Sequence, residues 1–219
     1  MCGRSAEDIF CQYCYSSLKQ CARKSSQELT FPEKLPLLVW GNYGGKLKRA
    51  IALLKYENHP ELAQPLGQWL GETWLKSSQF RKHNQTKALV VPIPLHPNKM
   101  EERGFNQAEL IAKSFCRYTG LKCQPQGLAR VKETTAMFNL NLSQRQENLT
   151  DAFHLGDNFR RRLPSRPILL LDDIYTTGTT IKAAAQILQR QGIQVAGVLA
   201  VATPPKPIAK DFIKKKTKG

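Results

Sequence analysis

The sequence lacks several features that define common protein classes. It has no apolar run long enough to cross a membrane, and it opens with cysteine, charged and polar residues rather than an apolar secretory leader. Neither the Gly-x-x-x-x-Gly-Lys-Ser/Thr nor the Gly-x-Gly-x-x-Gly pattern of familiar nucleotide-binding domains occurs. We therefore expect a cytoplasmic protein, in which the six cysteines serve as thiols or metal ligands rather than as disulfides.

Acidic residues are also scarce. Seventeen Asp and Glu face 33 Lys and Arg, which leaves a net charge of +16. This excess favours anionic partners, namely phosphorylated metabolites, nucleic acid or both. Part of it lies in Arg160–Arg162 and part in the tail Lys206–Gly219, which we expect to be a solvated, frayed terminus. Charge alone is compatible with weak, salt-sensitive binding of nucleic acid but does not specify it.

The most informative stretch runs from residue 168 to residue 180. Four apolar residues, Ile168–Leu171, predict a strand buried on both faces, and Asp172 and Asp173 follow at its carboxyl end. A loop that opens a helix offers unpaired backbone amides and the positive end of the helix dipole, which suits a phosphate. Gly178 allows close approach of the backbone, and adjacent carboxylates suit two neighbouring sugar hydroxyls. Four hydroxyls add donors: Thr176, Thr177, Thr179 and Thr180. The pattern predicts a site for a ribose 5-phosphate.

A simpler interpretation of this stretch is a buried strand followed by a capped helix, with Asp and Thr as ordinary turn residues. That interpretation explains either acid alone and one threonine. It does not explain two acids together with a four-threonine loop.

The same run resembles the 5-phosphoribosyl-1-pyrophosphate (PRPP) loop of type I phosphoribosyltransferases. That loop consists of a hydrophobic strand, two acids, two intervening residues and a Thr-Gly-rich turn. The resemblance implies that Asp172 and Asp173 hold the ribose hydroxyls of PRPP, with Mg²⁺ nearby. It also implies that the 5-phosphate is held by Thr176, Thr177, Gly178, Thr179 and Thr180.

A second motif begins where the predicted strand Leu89–Val91 ends. Three prolines within residues 92–97 stiffen the following loop and leave the backbone amides between them free. Because the carboxyl ends of parallel strands share one edge, we expect this loop and the loop after Leu171 to face the same site. Taken alone, the segment also fits a rigid connector between a strand and a helix, in which His96 is a loop residue that forms hydrogen bonds.

Taken together, these motifs resemble the ComF family. The matching stretches are Val-Pro-Ile-Pro-Leu-His-Pro (91–97), Arg-Gly-Phe-Asn-Gln (103–107), the loop after Leu171, Tyr-Gly-Gly-Lys-Leu-Lys (43–48), Leu-Lys-Tyr (54–56), and Arg145 with Asn148 and Ala152-Phe153. In one respect the chain departs from the family: a glutamine common a few residues after the threonine near Thr134 is replaced by Ala136–Asn139.

The family resemblance implies an α/β fold of the type I phosphoribosyltransferase kind, with a parallel sheet flanked by helices and a small cysteine-bearing N-terminal segment. It implies a role in DNA uptake during natural competence, with single-stranded DNA and competence proteins as further partners. The loop Pro92–Lys99 would lie near the pyrophosphate of PRPP, with Pro92, Ile93 and Pro94 in contact. Lys99 and Arg103 would be candidate catalytic residues, which assist the leaving pyrophosphate or the loop that closes over it.

Four parts are expected along the chain. Residues 1–29 resemble a remnant of the family's zinc ribbon, and residues 30–86 form a helical region in which leucines and isoleucines recur at helical spacing. Residues 87–205, where apolar runs alternate with amphipathic segments, form the phosphoribosyltransferase-type core. Residues 206–219 are a basic tail.

The cysteines of the first part have three interpretations. Cys11 and Cys14 form one Cys-x-x-Cys pair, but only Cys2 remains of a second pair. Either the chain begins a few codons late, or Cys21 completes a tetrahedral zinc site with Cys2, Cys11 and Cys14. The third interpretation is a disordered stub with free thiols.

Two functions of different classes remain open at this point. One is an enzyme that transfers the phosphoribosyl group of Mg-PRPP to an acceptor. The other is a non-catalytic adaptor that senses PRPP or a nucleotide and binds single-stranded DNA or the competence machinery. The basic excess, the cysteine-bearing start and the missing glutamine favour the adaptor, whereas the phosphate loop suits both functions.

Overall fold

The centre of the molecule is a six-stranded β-sheet. The computed structural model describes residues 8–23, 29–30, 35–78, 80, 87–131 and 152–205. The sheet strands are β1 (Leu29–Thr30), β2 (Pro36–Asn42), β3 (Leu89–Pro92), β4 (Lys122–Cys123), β7 (Ile168–Ile174) and β8 (Val195–Thr203), and a separate antiparallel pair consists of β5 (Leu128–Arg130) and β6 (Phe153–Leu155). The spatial order of the sheet is β1-β2-β8-β7-β3-β4. Strand β1 is antiparallel to β2, and the other five strands are parallel to one another.

Seven α-helices connect or flank these strands in the described part of the chain. They are α1 (Gln12–Lys19), α2 (Gly45–Tyr56), α3 (Ala63–Lys76), α4 (Pro97–Arg103), α5 (Gln107–Thr119), α6 (Asp157–Arg161) and α7 (Thr179–Arg190). Short 3₁₀ turns, Pro60–Leu62 and Pro125–Gly127, precede α3 and β5. No helix in these ranges is long and apolar enough to span a bilayer.

The two faces of the sheet are both covered, which explains why β7 and β8 are nearly continuous apolar runs. On one face, Leu169 and Leu171 of β7 pack with residues of α2, α3 and α5. On the other face, Ile168 and Leu170 pack with α7 and with the β5–β6 pair. Alternate residues of one strand therefore enter two different cores, as the period of a strand requires.

Helices α3 and α5 lie in close contact on the first face. A Cβ atom added to Gly67 of α3 would lie 2.5 Å from the Ile111 carbonyl oxygen of α5, so only glycine allows this approach. The Ser114 hydroxyl donates a hydrogen bond to the Gln64 carbonyl at 2.6 Å across the same contact. This pairing holds α5, and with it the loop before α5, in a fixed position relative to the sheet.

The predicted α/β architecture with a parallel sheet is confirmed. The expectation that residues 30–86 form a helical region is wrong for Pro36–Asn42, which forms β2 inside the main sheet. Its apolar run Leu37–Trp40 is buried because helices cover both faces of the sheet. In such a short, fully apolar run, the spacing of apolar residues does not distinguish a strand from a helix. Cys2, Ala136–Asn139, Arg145, Asn148 and the tail Lys206–Gly219 lie outside the described residues.

Candidate functional site

The carboxyl edge of the parallel sheet brings together loops that are far apart in the sequence. Backbone hydrogen bonds join them: Tyr43 N donates to Thr203 O at 2.7 Å, Tyr175 N to Ala202 O at 2.8 Å, and Ile93 N to Leu171 O at 2.8 Å. The starts of the loops after β2, β3 and β7 therefore lie side by side along the ends of β7 and β8 and form one rim. The expectation that the loops after Val91 and Leu171 face the same site is confirmed.

The Thr-Gly loop after β7 has the conformation of an anion cradle. Gly178 adopts φ 76° and ψ 2°, a left-handed conformation that favours glycine, and it opens the twelve-residue helix α7. Among the residues that the structure describes, no side chain caps this helix, and no acid lies in its first turn. Because the first amides of a helix have no intrahelical partner, the start of α7 offers donors and a positive dipole end.

The four threonines of this loop differ in exposure. Thr176 and Thr177 are exposed, whereas Thr179 and Thr180 are half-buried. The hydroxyls of Thr177 and Thr179 lie 2.7 Å apart in a hydrogen bond, and either can be the donor. The loop thus orients hydroxyl groups around the start of α7, where they add to the backbone donors.

The two acids at the end of β7 point in opposite directions. Side chains alternate along a strand, so Asp172 continues the face of Leu170 and Asp173 continues the face of Leu171. Asp172 is half-buried and accepts a hydrogen bond from the Asp173 backbone amide at 2.8 Å. Asp173 is buried and faces the helical layer that contains α2.

Asp173 is paired with a lysine that lies outside the motif. The Lys55 ammonium, on α2, is 2.7 Å from Asp173 Oδ2, and the exposed fractions of the two side chains are 18% and 4%. Apart from this ion pair, Oδ2 has no hydrogen-bond partner among the described residues. Burial alone would lower the pKa of Lys55, but the carboxylates of Asp173 and Asp172 more than offset it and raise the pKa above its ordinary value.

Asp172 has an unusual protonation equilibrium. Burial, followed by repulsion from the Asp173 carboxylate, raises its pKa to about 7. The charge on Lys55 and the hydrogen bond from the Asp173 backbone amide oppose this shift without cancelling it. Near neutral pH the Asp172 carboxyl therefore exchanges between its protonated and ionised forms, and a nearby cation or a hydroxyl donor would favour the ionised form.

The Asn106 side chain holds the proline-stiffened loop after β3 in place. Asn106, which is 8% exposed, donates from Nδ2 to the Ile93 carbonyl at 3.0 Å. Its Oδ1 accepts from the Ala108 amide at 3.0 Å and so caps α5. Pro92 and Ile93 are buried and Pro94 is half-buried. One side chain thus fixes both the start of α5 and the loop beside the end of β7.

The two predicted catalytic residues occupy different environments on α4. Lys99 is exposed and makes no ion pair within the described ranges. Arg103 is half-buried, donates a hydrogen bond to Gln107 and lies 5.5 Å from the centre of the Tyr56 ring. Since Tyr56 follows Lys55, the Arg103 guanidinium lies near the end of α2 that supplies the ion pair with Asp173.

His96 has a local structural role. Its Nδ1 accepts a hydrogen bond from the Asn98 amide at 3.3 Å and so caps α4. This confirms the expectation that it is a loop residue that forms hydrogen bonds. Lys55 was not predicted from the sequence as a site residue. The only available signal was its place at the end of an amphipathic helix, in the stretch Leu54-Lys55-Tyr56 that matches the ComF family.

The cysteines of the first segment lie at α1. Cys14 is buried, and Cys11 and Cys21 are half-buried, with the Cys21 thiol 3.6 Å from the Ser17 carbonyl oxygen. Within the described ranges, no group of three or more His, Cys, Asp or Glu side chains is arranged to hold a metal ion. Because Cys2 lies outside those ranges, the four-cysteine zinc site stays a prediction.

The chain resembles several curated proteins along most of its length, although no family model matches it. It is 26% identical to Competence protein F of Haemophilus influenzae over 199 residues, which are 88% of this chain and 84% of that protein. It is 29% identical over 160 residues to DNA utilization protein YhgH of Escherichia coli K12, and these residues cover 71% of this chain and 66% of that protein. It is 27% identical over 154 residues to Competence protein ComFC of Bacillus subtilis, which covers 68% of this chain and 56% of that protein.

These relatives support the assignment of the chain to the ComF family. Three of the ComF-like stretches lie at the carboxyl edge: residues 43–48 follow β2, residues 91–97 follow β3, and the Thr-Gly loop follows β7. The Leu-Lys-Tyr stretch at the end of α2 reaches the same place through the ion pair of Lys55 with Asp173. Motifs that are separate in the sequence therefore meet at one edge of the sheet.

Proposed function

We propose that this ComF-family protein binds PRPP at the carboxyl edge of its sheet and transfers the phosphoribosyl group to an acceptor. The observation that carries this proposal is the start of α7, which Gly178 opens in a left-handed conformation directly after two carboxylates. Only the short loop 175–178 separates the end of β7 from the start of α7. One ribose 5-phosphate could therefore place its phosphate on the α7 amides and its sugar beside the end of β7. The parallel sheet flanked by helices suits a type I phosphoribosyltransferase fold.

Within this site the two acids have different roles. Asp172, which keeps accessible surface, is the acid that contacts the ribose hydroxyls. Asp173 is almost fully buried and shares one oxygen with Lys55, so its contribution to the ligand is a fixed negative charge that Lys55 balances. The loop residues Thr176, Thr177, Gly178, Thr179 and Thr180 hold the 5-phosphate.

The pyrophosphate of PRPP fits the neighbouring loop. Residues 92–96 lie beside the end of β7 through the Ile93–Leu171 hydrogen bond, and Asn106 fixes their backbone. The cations nearest in sequence are Lys99, which is exposed, and Arg103, which donates a hydrogen bond to Gln107. These residues would stabilise the charge that develops on the departing pyrophosphate.

Magnesium suits this arrangement because it binds to one or two carboxylates together with substrate phosphates. Asp172 provides a carboxylate at the rim, whereas Asp173 is already neutralised by Lys55. When bound, Mg²⁺ would neutralise charge on the pyrophosphate. The protein itself would hold the 5-phosphate and ribose still while the bond at C1 breaks, with an oxocarbenium-like sugar in the transition state. No general base is required for that step.

The relatives' names give a cellular setting for this chemistry. Two are named competence proteins, and a third is named a DNA utilization protein. We infer that this protein also acts in the uptake or use of DNA. The acceptor would then belong to that process, either as a nucleobase or as an amine on a partner.

A turnover experiment tests the proposal. The purified protein is incubated with Mg-PRPP and a panel of nucleobases and amines, while the release of pyrophosphate and the binding of PRPP are measured in parallel. Release that depends on an acceptor supports transfer. Saturable PRPP binding with no release under any acceptor supports the adaptor, and a lack of PRPP binding contradicts both phosphoribosyl transfer and the sensing of PRPP.

A further inference from the structure

Two cysteines lie against each other at the end of α5 that is remote from Asn106. Cys116 belongs to the last turn of α5, and Cys123 is the second residue of the edge strand β4. Both are free thiols, and a hydrogen bond joins their side chains. Cys116 is 6% exposed, whereas Cys123 is half-buried and keeps access to solvent. We call these two residues the thiol pair.

The backbone holds the thiol pair together. Gly120 ends α5 with φ 76°, and its amide donates a hydrogen bond to the Cys116 carbonyl at 2.9 Å. The chain then enters β4, where Cys123 lies opposite Val90 of β3. Because side chains alternate along an extended chain, Leu121 and Cys123 share a face. Leu121 and Cys116 are buried in the same core, and Cys123 packs against that core.

The two thiols differ in acidity. The hydrogen bond with Cys116 lowers the pKa of Cys123, and the Lys113 ammonium adds to this shift, while burial and Glu109 oppose it. The same hydrogen bond, together with burial, raises the pKa of Cys116. Lys113 and Glu109 pair with each other at 2.7 Å on the neighbouring turn of α5. Since the thiolate is the reactive form of cysteine, Cys123 is the nucleophile of the thiol pair.

A single buried cysteine commonly serves as a small apolar side chain that fills a core. Packing alone explains Cys116, but it does not explain a second, half-buried thiol in direct contact with it. Cys21 shows the contrast, because its thiol bonds to the Ser17 carbonyl at 3.6 Å. A solvent-accessible thiolate with a second thiol beside it is the arrangement that converts an oxidised cysteine into a disulfide.

We propose that the thiol pair is a reversible redox site, in which a hydroperoxide converts Cys116 and Cys123 into an intramolecular disulfide. The Cys123 thiolate attacks one peroxide oxygen, the O–O bond breaks, and a sulfenic acid forms as hydroxide leaves. Cys116 sulfur then attacks the sulfenic sulfur. The S–O bond breaks, and the departing hydroxide takes the Cys116 proton and leaves as water. The two sulfurs together lose two electrons, which reduce the peroxide.

The disulfide would tie α5 to the edge of the sheet. Strand β4 pairs with β3, whose following loop is held by Asn106 at the other end of α5. Oxidation therefore adds a covalent link to the helix that positions this loop. In a reducing compartment such a disulfide is transient, because thiol exchange returns it to the two free thiols. This inference does not depend on PRPP binding at the carboxyl edge.

Peptide mapping after treatment of the intact chain with hydrogen peroxide tests the proposal. Remaining thiols are blocked with N-ethylmaleimide, and trypsin then cuts after Arg117 and Lys122. The two cysteines fall in separate peptides, residues 114–117 and 123–130. We expect a product in which a disulfide joins these peptides, with the loss of two hydrogen atoms from their summed mass. Dithiothreitol should separate them again.

Single variants test the order of the two steps. C116S should stop at the sulfenic acid of Cys123, which dimedone traps, whereas C123S should leave Cys116 reduced because its thiol is buried. C21S, which removes another half-buried thiol, is the control and should form the linked peptides as the wild type does. The wild-type product decides the proposal even if a variant folds poorly. Absence of the linked peptides from oxidised wild-type protein, a disulfide of Cys123 with a different cysteine, or oxidation of Cys116 in C123S would each overturn it.

Discussion

The Lys55 ammonium lies 2.7 Å from Oδ2 of Asp173 and neutralises one of the two acids that end β7. Both side chains are largely buried, and the lysine belongs to a helix outside the strand-loop-helix motif. This ion pair separates the roles of two adjacent carboxylates. Asp173 is fixed in the interior with its charge balanced, while Asp172 remains at the rim with a raised pKa.

The buried ion pair should matter for stability. Replacing Lys55 by Met leaves the Asp173 carboxylate buried without its cation, so we expect a loss of about 3–5 kcal/mol in the free energy of unfolding. Urea denaturation measures this loss. The double variant K55M/D173N, which removes both charges, should recover much of it. A loss below about 1 kcal/mol for K55M alone would show that the pair is solvated and energetically minor.

The raised pKa of Asp172 predicts a specific dependence of stability on pH. Its folded value of about 7 exceeds the ordinary value of 3.8, so the folded state holds the proton more tightly than the unfolded chain. The stability that this proton contributes is complete below pH 3.8 and is lost as the pH rises to about 7. D172N should therefore match the wild type near pH 4 and exceed it at pH 8, by on the order of 4 kcal/mol.

Denaturation of both proteins across this pH range checks the prediction, with E101Q as the control because Glu101 is an exposed acid on α4 without an ion pair among the described residues. The difference between D172N and the wild type should grow with pH, whereas that between E101Q and the wild type should stay nearly flat. A constant offset at every pH would mean that Asp172 has an ordinary pKa.

The same titration should appear in ligand binding. If ribose hydroxyls and Mg²⁺ bind the ionised form of Asp172, the affinity for Mg-PRPP should rise as the pH increases through 7 and then level off. Binding below that pH should release a proton, which calorimetry detects as a dependence of the heat on the buffer. D172N should bind more weakly and lose this proton release. Persistent release in D172N would assign the proton to another group.

Much of the site was predictable from local sequence, and the rest was not. The strand, the Thr-Gly loop and helix α7 follow from a short apolar run, a glycine and helical spacing within one segment. The opposite orientation of Asp172 and Asp173 also follows from the period of a strand. Lys55 was not predictable from local sequence, because its contact depends on how α2 crosses the end of the sheet. Strand β2 was missed because helices on both faces bury its apolar run, which leaves no alternation to recognise.

Asn106 offers a way to separate the two halves of the proposed ligand. Its side chain joins the Ile93 carbonyl to the start of α5, so N106A should cost about 1–2 kcal/mol of stability and loosen the loop after β3. That loop is proposed to face the pyrophosphate. We therefore expect N106A to weaken the binding of Mg-PRPP several-fold and to leave the binding of ribose 5-phosphate nearly unchanged.

Parallel calorimetric titrations with the two ligands measure this difference. Q12A serves as the control, since Gln12 is an exposed amide residue at the start of α1. Equal weakening of both ligands by N106A would place the loop near the 5-phosphate or show a general loss of structure.

The most direct test of the proposed site is the affinity for ribose 5-phosphate of G178A compared with G120A. Both glycines have φ 76°, so alanine introduces the same backbone strain, but Gly120 ends α5 while Gly178 opens α7. Binding at the Thr-Gly loop predicts a loss of about tenfold or more for G178A, with G120A close to the wild type. Equal affinities of G178A, G120A and the wild type would contradict a phosphate site at the start of α7.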